Sequence, residues 1–151
     1  MLFRSNARLE FTSEGRLVLQ LLGVQEITIS ISNASSEASF ASILNSGNLV
    51  LYNADSRIIW QTFDYPTDTL LPDQLLRAGN ELVSSISESN HSTGRHRLVM
   101  QNDGNLVMYP VATPNAPDYA YWDAVSNFLG DNATLTLSEN GRIFMVNALM
   151  R

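Results

Sequence analysis

The chain has 151 residues, 44% of them hydrophobic and 16% charged, a balance typical of one ordinary globular domain or two small ones. Nine basic against fifteen acidic residues give a net charge of −6. This argues against nucleic acid or an anionic membrane as a partner, because both need clustered Lys and Arg. The absence of cysteine excludes disulfides and thiolate metal sites, and the sequence has no apolar run of about eighteen residues to span a bilayer.

Four β-hairpins of one outline are predicted along the chain. Each has apolar residues at alternate positions on either side of a polar corner that contains a glycine. The same outline at four places indicates an internal repeat. The hairpins cover, in chain order, residues 8–20, 40–52, 97–109 and 134–146, with Gly15, Gly47, Gly104 and Gly141 in equivalent positions.

One face of each predicted hairpin is assigned to the core. Apolar residues stand four positions before each corner glycine and two and four positions after it, so a period of two puts them on one face. These positions hold Phe11, Leu17, Leu19, Ile43, Leu49, Leu51, Met100, Leu106, Met108, Leu137, Ile143 and Met145. The opposite face is mostly polar and differs between the copies, which separates residues that serve the fold from residues that serve a function.

Further strands and loops are predicted between the hairpins of the first half. Isoleucines alternate with Thr and Ser over residues 27–31 as in a strand, and the small polar run 33–39 indicates a loop. Residues 57–63 are rich in β-formers and predict another strand. Residues 64–74 hold two prolines and three acids and predict a connector, because proline breaks a central strand.

In the second half, alternation predicts a strand over residues 75–89, followed by a polar loop over 90–94. Residues 110–118 contain three prolines and predict a stiff surface loop. Residues 119–123 match the strand that precedes the connector in the first half. Each half therefore has two hairpins and one strand that carries a tryptophan.

No catalytic, metal or cofactor site assembles from these residues. His91 and His96, the only histidines, come without a nucleophile elbow, a phosphate loop or a metal-binding spacing. The acids of residues 64–74 fit turn caps better than a calcium loop, whose glycine bend is missing. The sequence therefore predicts a protein that is not an enzyme.

The third hairpin carries the polar positions that suit binding of a neutral polyol. A sugar hydroxyl both donates and accepts, and amide, carboxylate and phenol groups meet that need. They follow one another on alternate positions, with an apolar valine for the C–H face of a sugar ring: Gln101, Asp103, Asn105, Val107 and Tyr109. The second hairpin keeps only Asn48, Val50 and Tyr52, with Leu44 and Ser46 in place of the amide and the carboxylate, and is predicted to be a degenerate, silent site.

The pattern Gln-x-Asp-x-Asn-x-Val-x-Tyr resembles the mannose-binding signature of the bulb-type (monocot mannose-binding) lectins. Residues 60–72, WQTFDYPTDTLLP, resemble the segment that closes the first lectin module in plant G-type lectin receptor-like kinases of the S-locus type. This resemblance implies an all-β fold, a β-prism II made of repeated hairpins. It further implies two partial modules, residues 1–74 and 75–151, each one blade short of a three-sheet prism.

The resemblance also implies ligand contacts and a location. Asp103 and Asn105 would bind the axial O2 of mannose, Gln101 the O3 and Tyr109 the O4, and the partners would be mannose-containing glycans. No cofactor is implied. The chain would be an extracellular or plasma-membrane ectodomain, with the kinase domain of the family outside it, although residues 1–13 lack the apolar stretch of a signal peptide.

Three sequons agree with a secretory origin and make Asn33, Asn90 and Asn132 candidates for N-glycosylation. The two tryptophans, Trp60 and Trp122, stand at equivalent points of two blades and are predicted to be core plugs. The alternative for them is an exposed ring that stacks on a sugar.

An alternative function belongs to another class. A lectin scaffold that has lost sugar binding would serve as a protein-recognition ectodomain for a peptide or another receptor, favoured by an exposed apolar patch away from Gln101 and by a homodimer. Because sheets that lack a neighbour expose strand edges, the isolated chain is expected to associate unless its two partial modules close on each other.

Overall fold

The computed structural model describes residues 7–21, 26–30 and 37–147 and shows an all-β chain, as predicted. Its strands are β1 (Ala7–Phe11), β2 (Leu17–Leu21), β3 (Ile27–Thr28), β4 (Phe40–Ile43), β5 (Leu49–Tyr52), β6 (Ile58–Gln61), β7 (Leu75–Arg77), β8 (Glu81–Ser87), β9 (Asn90–Met100), β10 (Leu106–Pro110), β11 (Trp122–Asp123), β12 (Ala133–Leu137) and β13 (Ile143–Asn147). The helices of the described residues are single 3₁₀ turns at Thr62–Asp64, Pro117–Tyr119 and Asn127–Leu129. None of these helices is long and apolar enough to cross a membrane.

The chain divides into two compact units, Met1–Asp64 and Tyr65–Arg151. The first unit contains the sheets β1-β2-β3 and β4-β5-β6, and the second contains β11-β10-β9-β8 and β13-β12-β7. This division lies ten residues before the predicted module boundary at Gln74 and Leu75, and it assigns the connector to the second unit. The family-module boundary itself stays a prediction.

All four predicted hairpins are present, as the pairs β1–β2, β4–β5, β9–β10 and β12–β13, each antiparallel. The glycines at their corners have φ values of +69°, +85°, +88° and +79° in chain order. Residues other than glycine rarely adopt this left-handed backbone, and the repeated glycine therefore has a conformational cause. In the third hairpin Val107 pairs with Val99 and Tyr109 with Arg97, which fixes the face on which the candidate residues lie.

The predicted core face is buried in part. Leu17 and Leu51 are buried in the first unit, and Met100 and Leu106 in the second. The predicted core residues Ile43 and Ile143, however, are 74% and 68% exposed. Each belongs to the last pair of its ladder, beside the corner. Leu17, Met100 and Leu106 stand in the same last pairs of their ladders and are buried, so alternation predicts the face of a residue but not whether another layer covers it.

The opposite face, predicted to be mostly polar, is buried at its valines. Val18 and Val50 are completely buried, and Val107 is nearly so. In the third hairpin Val107 packs with Val99 and Tyr109 in a small cluster beneath the candidate site. This cluster is separate from the larger one of the second unit, which contains Leu76, Met100 and Leu106.

The two tryptophans differ in how deeply they are buried. Trp60 is 6% exposed and packs with Leu17, Ala38 and Leu51, which confirms its prediction as a core plug. Trp122 is 47% exposed, so the same prediction is wrong for it. It lies in β11, a two-residue strand at the edge of its sheet, where neighbours cannot surround a large ring.

The predicted polar loop over residues 90–94 is also wrong, because these residues begin the long strand β9. Strand β8 supplies a pairing partner for them, with irregularities between Val83 and Ser85 and between Ser85 and Ser87. A Cβ added to Gly94 would lie 2.6 Å from the backbone oxygens of Ser84 and Ser85, and only glycine fits this close approach. The connector and the proline-rich loop are irregular, as predicted, apart from a bridge between Pro72 and Leu137 and the 3₁₀ turns.

Candidate functional site

The five motif residues of the third hairpin lie together. Gln101, Asp103 and Asn105 lie in the corner between β9 and β10, and Val107 and Tyr109 lie on β10. All five line one cleft of about 550 Å³. Residues of the proline-rich loop and of β11 complete its lining: Asn115, Pro117, Ala120, Tyr121, Trp122 and Asp123.

The corner arranges the carboxylate of Asp103. The backbone N–H of Asn105 donates to Asp103 Oδ1 at 2.9 Å, an Asx turn that fixes the side chain over the corner. A carboxylate oxygen has further lone pairs and Oδ2 has no bond within the described residues, so Asp103 keeps acceptor capacity towards the cleft. Asp103 itself is exposed, so its carboxylate is accessible to a ligand.

Asn105 is oriented by Ser126. The backbone N–H of Ser126 donates to Asn105 Oδ1 at 2.9 Å, and the Ser126 hydroxyl lies 3.3 Å from the same oxygen. Asn105 Nδ2 is 3.4 Å from Asp123 Oδ1, on the strand beside β10. The carbonyl oxygen of this amide is therefore used within the fold, and its NH₂ group is the part that can donate to a ligand.

Tyr109 is fixed on both sides. Its hydroxyl accepts a hydrogen bond from Gln101 Nε2 at 2.8 Å, and the Arg97 guanidinium lies 5.2 Å from the centre of its ring. Arg97 in turn pairs with Glu81 at 2.8 Å and donates to the carbonyl oxygen of Thr113 at 2.6 Å. The phenol keeps its own O–H to donate, and Gln101 keeps its amide oxygen to accept.

The cleft as a whole suits an uncharged ligand rich in hydroxyl groups. Its lining includes two carboxylates, three amides and two phenols beside apolar surface, and it contains no Lys or Arg. An anionic ligand would meet like charges at Asp103 and Asp123 without a cation to offset them. A polyol would find donors and acceptors at fixed positions beside Val107.

Sequence reasoning missed a set of serine and threonine hydroxyls that anchor the hairpin corners. The backbone N–H two residues after a corner glycine donates to a hydroxyl in three sheets, with the pairs Leu17 to Ser30 at 2.9 Å, Leu49 to Thr62 at 3.0 Å and Leu106 to Ser126 at 3.1 Å. Ser126 also donates to the carbonyl oxygen of Gly104 at 3.0 Å. We call Ser30, Thr62 and Ser126 the corner hydroxyls. The hydroxyl follows its partner by 13 residues in the first two sheets and by 20 residues in the third, so a fixed spacing would find Ser30 and Thr62 but miss Ser126.

The second hairpin uses its asparagine differently. Asn48 is buried; its Oδ1 accepts from the Thr62 hydroxyl at 3.1 Å and from the Phe63 N–H at 3.2 Å, and its Nδ2 donates to Gln61 Oε1 at 2.9 Å. The ring of Tyr52 stacks on Phe40, with ring centres 4.8 Å apart. With both ends of the Asn48 amide engaged, and Leu44 and Ser46 at the other positions, this geometry supports the prediction that the second site is silent.

A separate polar cluster joins the connector to the β8–β9 hairpin. Asp68 Oδ2 accepts from the Ser85 hydroxyl and lies 2.9 Å from His91 Nδ1. The Ser85 oxygen is 3.4 Å from the same ring nitrogen, so the three groups do not form the relay of a catalytic triad, in which serine and carboxylate use opposite nitrogens. No group of three or more His, Cys, Asp or Glu able to hold a metal occurs in the part of the chain that the structure describes.

The contacts of Asp68 lead us to expect that the fold loses stability in acid. The Ser85 hydroxyl, and after it His91, hold the pKa of Asp68 well below its usual value. A depressed folded-state pKa stabilises the fold above the unfolded value of about 4, and that contribution is lost as pH falls further. Asp68→Asn should therefore lower the urea midpoint of unfolding at pH 7. Between pH 7 and pH 3 the variant should lose less stability than the parent.

Asp118→Asn, on the proline-rich loop, is the control for this comparison and should keep the parent's pH dependence. An Asp68→Asn variant that loses as much stability in acid as the parent would show that this cluster does not stabilise the fold.

The two sequon asparagines that the structure describes are both exposed. Asn90 is exposed at the start of β9, and Asn132 is exposed just before β12. Asn33 lies outside the described residues. Glycosylation at these sites stays a prediction.

Comparison with known proteins finds a matching family model, similar receptor-like kinases and similar lectin structures. The family model for D-mannose binding lectin matches residues 2–81. The G-type lectin S-receptor-like serine/threonine-protein kinase LECRK2 of Oryza sativa subsp. indica is 40% identical over 109 residues, which cover 72% of this chain and 13% of that kinase. LECRK1 of Oryza sativa subsp. japonica is 34% identical over 145 residues, which cover 93% of this chain and 17% of the kinase. The chain thus spans less than a fifth of the length of these kinases.

Two solved structures of lectins are similar at low identity. The two-domain fetuin-binding Scilla campanulata agglutinin is 18% identical with a TM-score of 0.31, over 96% of this chain and 74% of that one. The Japanese Marasmius oreades lectin is 22% identical with a TM-score of 0.30, over 81% of this chain and 75% of that one.

Proposed function

Because the chain belongs to the D-mannose binding lectin family, we propose that it binds mannose-containing glycans through the cleft of the third hairpin. The observation that carries this proposal is the convergence of all five motif residues on that cleft, with the amide of Asn105 already oriented by Ser126. The contacts would be made by Gln101, Asp103, Asn105, Val107 and Tyr109.

Family membership bears on two other predictions. The predicted fold class, an all-β β-prism built of repeated hairpins, is confirmed. The chain is a lectin domain and not an enzyme, since what it shares with the receptor-like kinases is a small part of their length. The names of these relatives support the proposal that the chain serves as the extracellular, ligand-binding part of a receptor.

Each polar group has a role that follows from its remaining hydrogen-bonding capacity. Asp103 Oδ2 would accept from a sugar hydroxyl while Asn105 Nδ2 donates to the same oxygen, which suits the axial O2 of mannose. The Gln101 amide oxygen would accept from O3, and the Tyr109 hydroxyl would donate to O4. Val107 would pack under the C–H face of the ring.

The affinity for one mannose unit should be low. Four or five hydrogen bonds that replace bonds to water contribute ~0.5–1.5 kcal/mol each, and the bonds to the Asp103 carboxylate somewhat more. After the entropy of association, on the order of −4 kcal/mol remains, a dissociation constant at about the millimolar level. Useful affinity would then come from several copies clustered on a surface or joined in a dimer.

Asp103→Ala should abolish detectable binding of methyl mannoside, because the variant loses the charged acceptor for O2 and the Asx turn that positions Asn105. The measurement is a titration followed through amide chemical shifts near Gly104. The matched control is Ser46→Ala, at the equivalent position of the second hairpin, which should leave the titration as in the parent.

Methyl glucoside supplies the test of specificity. Its O2 is equatorial, so the two groups that meet an axial O2 would not both reach it, and the shifts near Gly104 should be much smaller than with the mannoside. Equal shifts with both sugars, or shifts that survive Asp103→Ala, would contradict the proposal and favour recognition of a protein.

Exposed apolar rows in the first unit favour protein recognition as the second candidate function. Leu9 and Ile27 both pair with Leu19 across neighbouring strands, and both are about half exposed. Phe40 and Ile58 flank Tyr52 in the same way on the other sheet. Such rows suit a peptide, another receptor or a second copy of the chain. A glycan array and size-exclusion chromatography with light scattering would separate the two functions.

A further inference from the structure

One short segment of this acidic chain is basic. The chain as a whole has a net charge of −6, yet residues 91–97 contain both of its histidines and two of its nine basic residues, and they contain no acid. These residues read HSTGRHR and lie in the long strand β9, which forms a hairpin with β8. Arg95 and His96 of this segment do not line the cleft of the motif residues.

Arg95 and His96 line a separate cleft of about 570 Å³, which we call the basic cleft. Its other lining residues come from both strands of the hairpin: Ser84, Ser85, Ile86, Thr93 and Gly94. Among the residues that the structure describes, no Asp or Glu lines this cleft. Its charge therefore favours a negatively charged ligand, in contrast to the cleft of the motif residues.

Backbone contacts fix the positions from which the basic side chains project. The N–H of His96 donates to the Ser84 hydroxyl oxygen at 3.1 Å, which joins β9 to β8. The N–H of Val111 donates to the carbonyl oxygen of Arg95 at 2.8 Å, which ties β9 to the residue after β10. The ring of His96 packs edge-on against Tyr121, with ring centres 5.4 Å apart. The basic cleft thus has a defined frame.

The donors of the basic cleft are available to a ligand. The Arg95 guanidinium makes no ion pair or hydrogen bond with any described residue. Within the same part of the chain, the Thr93 hydroxyl and the His96 imidazole make no hydrogen bond either. The Ser84 hydroxyl accepts from the His96 N–H and keeps its own O–H to donate. These groups can therefore all donate to one bound molecule.

Two carboxylates near the hairpin have partners of their own. Glu81 pairs with Arg97 at 2.8 Å. Asp68 accepts from the Ser85 hydroxyl and lies 2.9 Å from His91 Nδ1. The positive charge of Arg95 is therefore left for a ligand.

A tetrahedral oxyanion matches these donors better than a carboxylate does. A guanidinium fork binds two oxygens at once, and the hydroxyls of Ser84 and Thr93 and the imidazole of His96 can donate to a third. A carboxylate has only two oxygens, both in one plane, whereas a phosphate or sulfate ester has three terminal oxygens that point in different directions. Ile86, which is 60% exposed, adds apolar surface for the organic part of an ester.

We propose that the basic cleft binds the tetrahedral oxyanion of a phosphate or sulfate ester, with Arg95 as its main charge partner. The organic group of the ester lies against Ile86. This site is independent of the proposed sugar binding, because the two clefts share no lining residue.

The test titrates the full chain with phenyl phosphate and with phenyl sulfate and follows the backbone amide signal of Gly94. At least one of the two esters should shift this signal to saturation, and the comparison between them shows which oxyanion is preferred. Benzyl alcohol, which has the ring without the charge, should leave the signal in place. Inorganic phosphate, which lacks the organic part, and benzoate, which lacks the third oxygen, should bind more weakly than the preferred ester.

Variants of Arg95 give the second readout. Arg95→Gln should weaken binding of the preferred ester by about tenfold or more, because it removes the charge-assisted hydrogen bonds. Arg95→Lys keeps the charge without the fork and should fall between the parent and Arg95→Gln. The matched control is Arg142→Gln, which removes the same charge from an exposed corner of the same unit and should bind as the parent does.

Three results would overturn this inference. Neither ester shifts the Gly94 signal to saturation, which would show that no site exists. Arg142→Gln weakens binding as much as Arg95→Gln, which would show that the esters respond to net charge alone. Inorganic phosphate or benzoate binds as tightly as the preferred ester, which would show that the basic cleft does not recognise the ester.

Discussion

Gly104→Ala is expected to destabilise the second unit by about 2–5 kcal/mol, whereas Gly141→Ala should cost about 1–2 kcal/mol. Both glycines stand at the same position of the same hairpin outline, and both have a left-handed φ, +88° and +79°. The left-handed backbone costs an alanine about 1–2 kcal/mol in either place. The difference comes from what surrounds each residue.

At Gly104 an added Cβ would lie 2.6 Å from the carbonyl oxygen of Gly130 and 2.7 Å from its nitrogen. These are backbone atoms that cannot rotate away, and relieving such a clash adds about 1–3 kcal/mol. At Gly141 an added Cβ would meet nothing within 4 Å. The first substitution would therefore push the corner that carries Asp103 and Asn105 away from Ser126.

Urea unfolding followed by circular dichroism, with both variants in the same buffer, measures this difference. Equal losses of stability would show that the approach to Gly130 is not held in solution. We also expect Gly104→Ala to weaken methyl mannoside binding more than Gly141→Ala, because only the former displaces the candidate site.

Trp60→Ala is expected to cost about 3–5 kcal/mol of unfolding free energy, as other buried aromatic truncations do. Trp60 fills the core of the first unit between Leu17, Ala38 and Leu51. Trp122→Ala should cost less than about 1 kcal/mol, since the ring is already half exposed and removing it leaves no buried cavity.

Thermal and urea unfolding of the two tryptophan variants would test this contrast. Trp60→Phe belongs in the same series as a milder truncation and should fall between the parent and Trp60→Ala. A Trp122→Ala variant as unstable as Trp60→Ala would mean that Trp122 is covered in solution, for example by a second copy of the chain.

The hairpins could be predicted because their causes are local. Alternation places side chains on two faces, and a glycine at each corner meets the need for a left-handed backbone, so neighbouring residues determine the element. The motif at Gln101, Asp103 and Asn105 could be found for the same reason, since a hairpin corner brings residues two apart in sequence close together in space. The structure then places all five motif residues on one cleft.

What could not be predicted depends on residues distant in sequence. Burial of Ile43 and Ile143 depends on whether another layer covers the end of a ladder, and alternation carries no such information. Ser126 contacts Asn105 and Leu106 only after an irregular loop returns the chain to the corner. The polar start of β9 became a strand because β8 lies beside it, although its own residues favour a loop.

An asparagine directly after a corner glycine can serve the fold, by bonding to a corner hydroxyl, or it can serve a ligand. Asn48 and Asn105 both use their carbonyl oxygen to accept hydrogen bonds from the segment that follows the next strand, at Thr62 and at Ser126. An Asn-Val-Tyr remnant in a lectin repeat is therefore the trace of a folding requirement. A genome survey that scores such remnants as weakened sugar sites would overestimate the number of sugar-binding repeats. A survey that also requires the carboxylate of Asp103 and the amide of Gln101 would count the repeats that can bind a sugar.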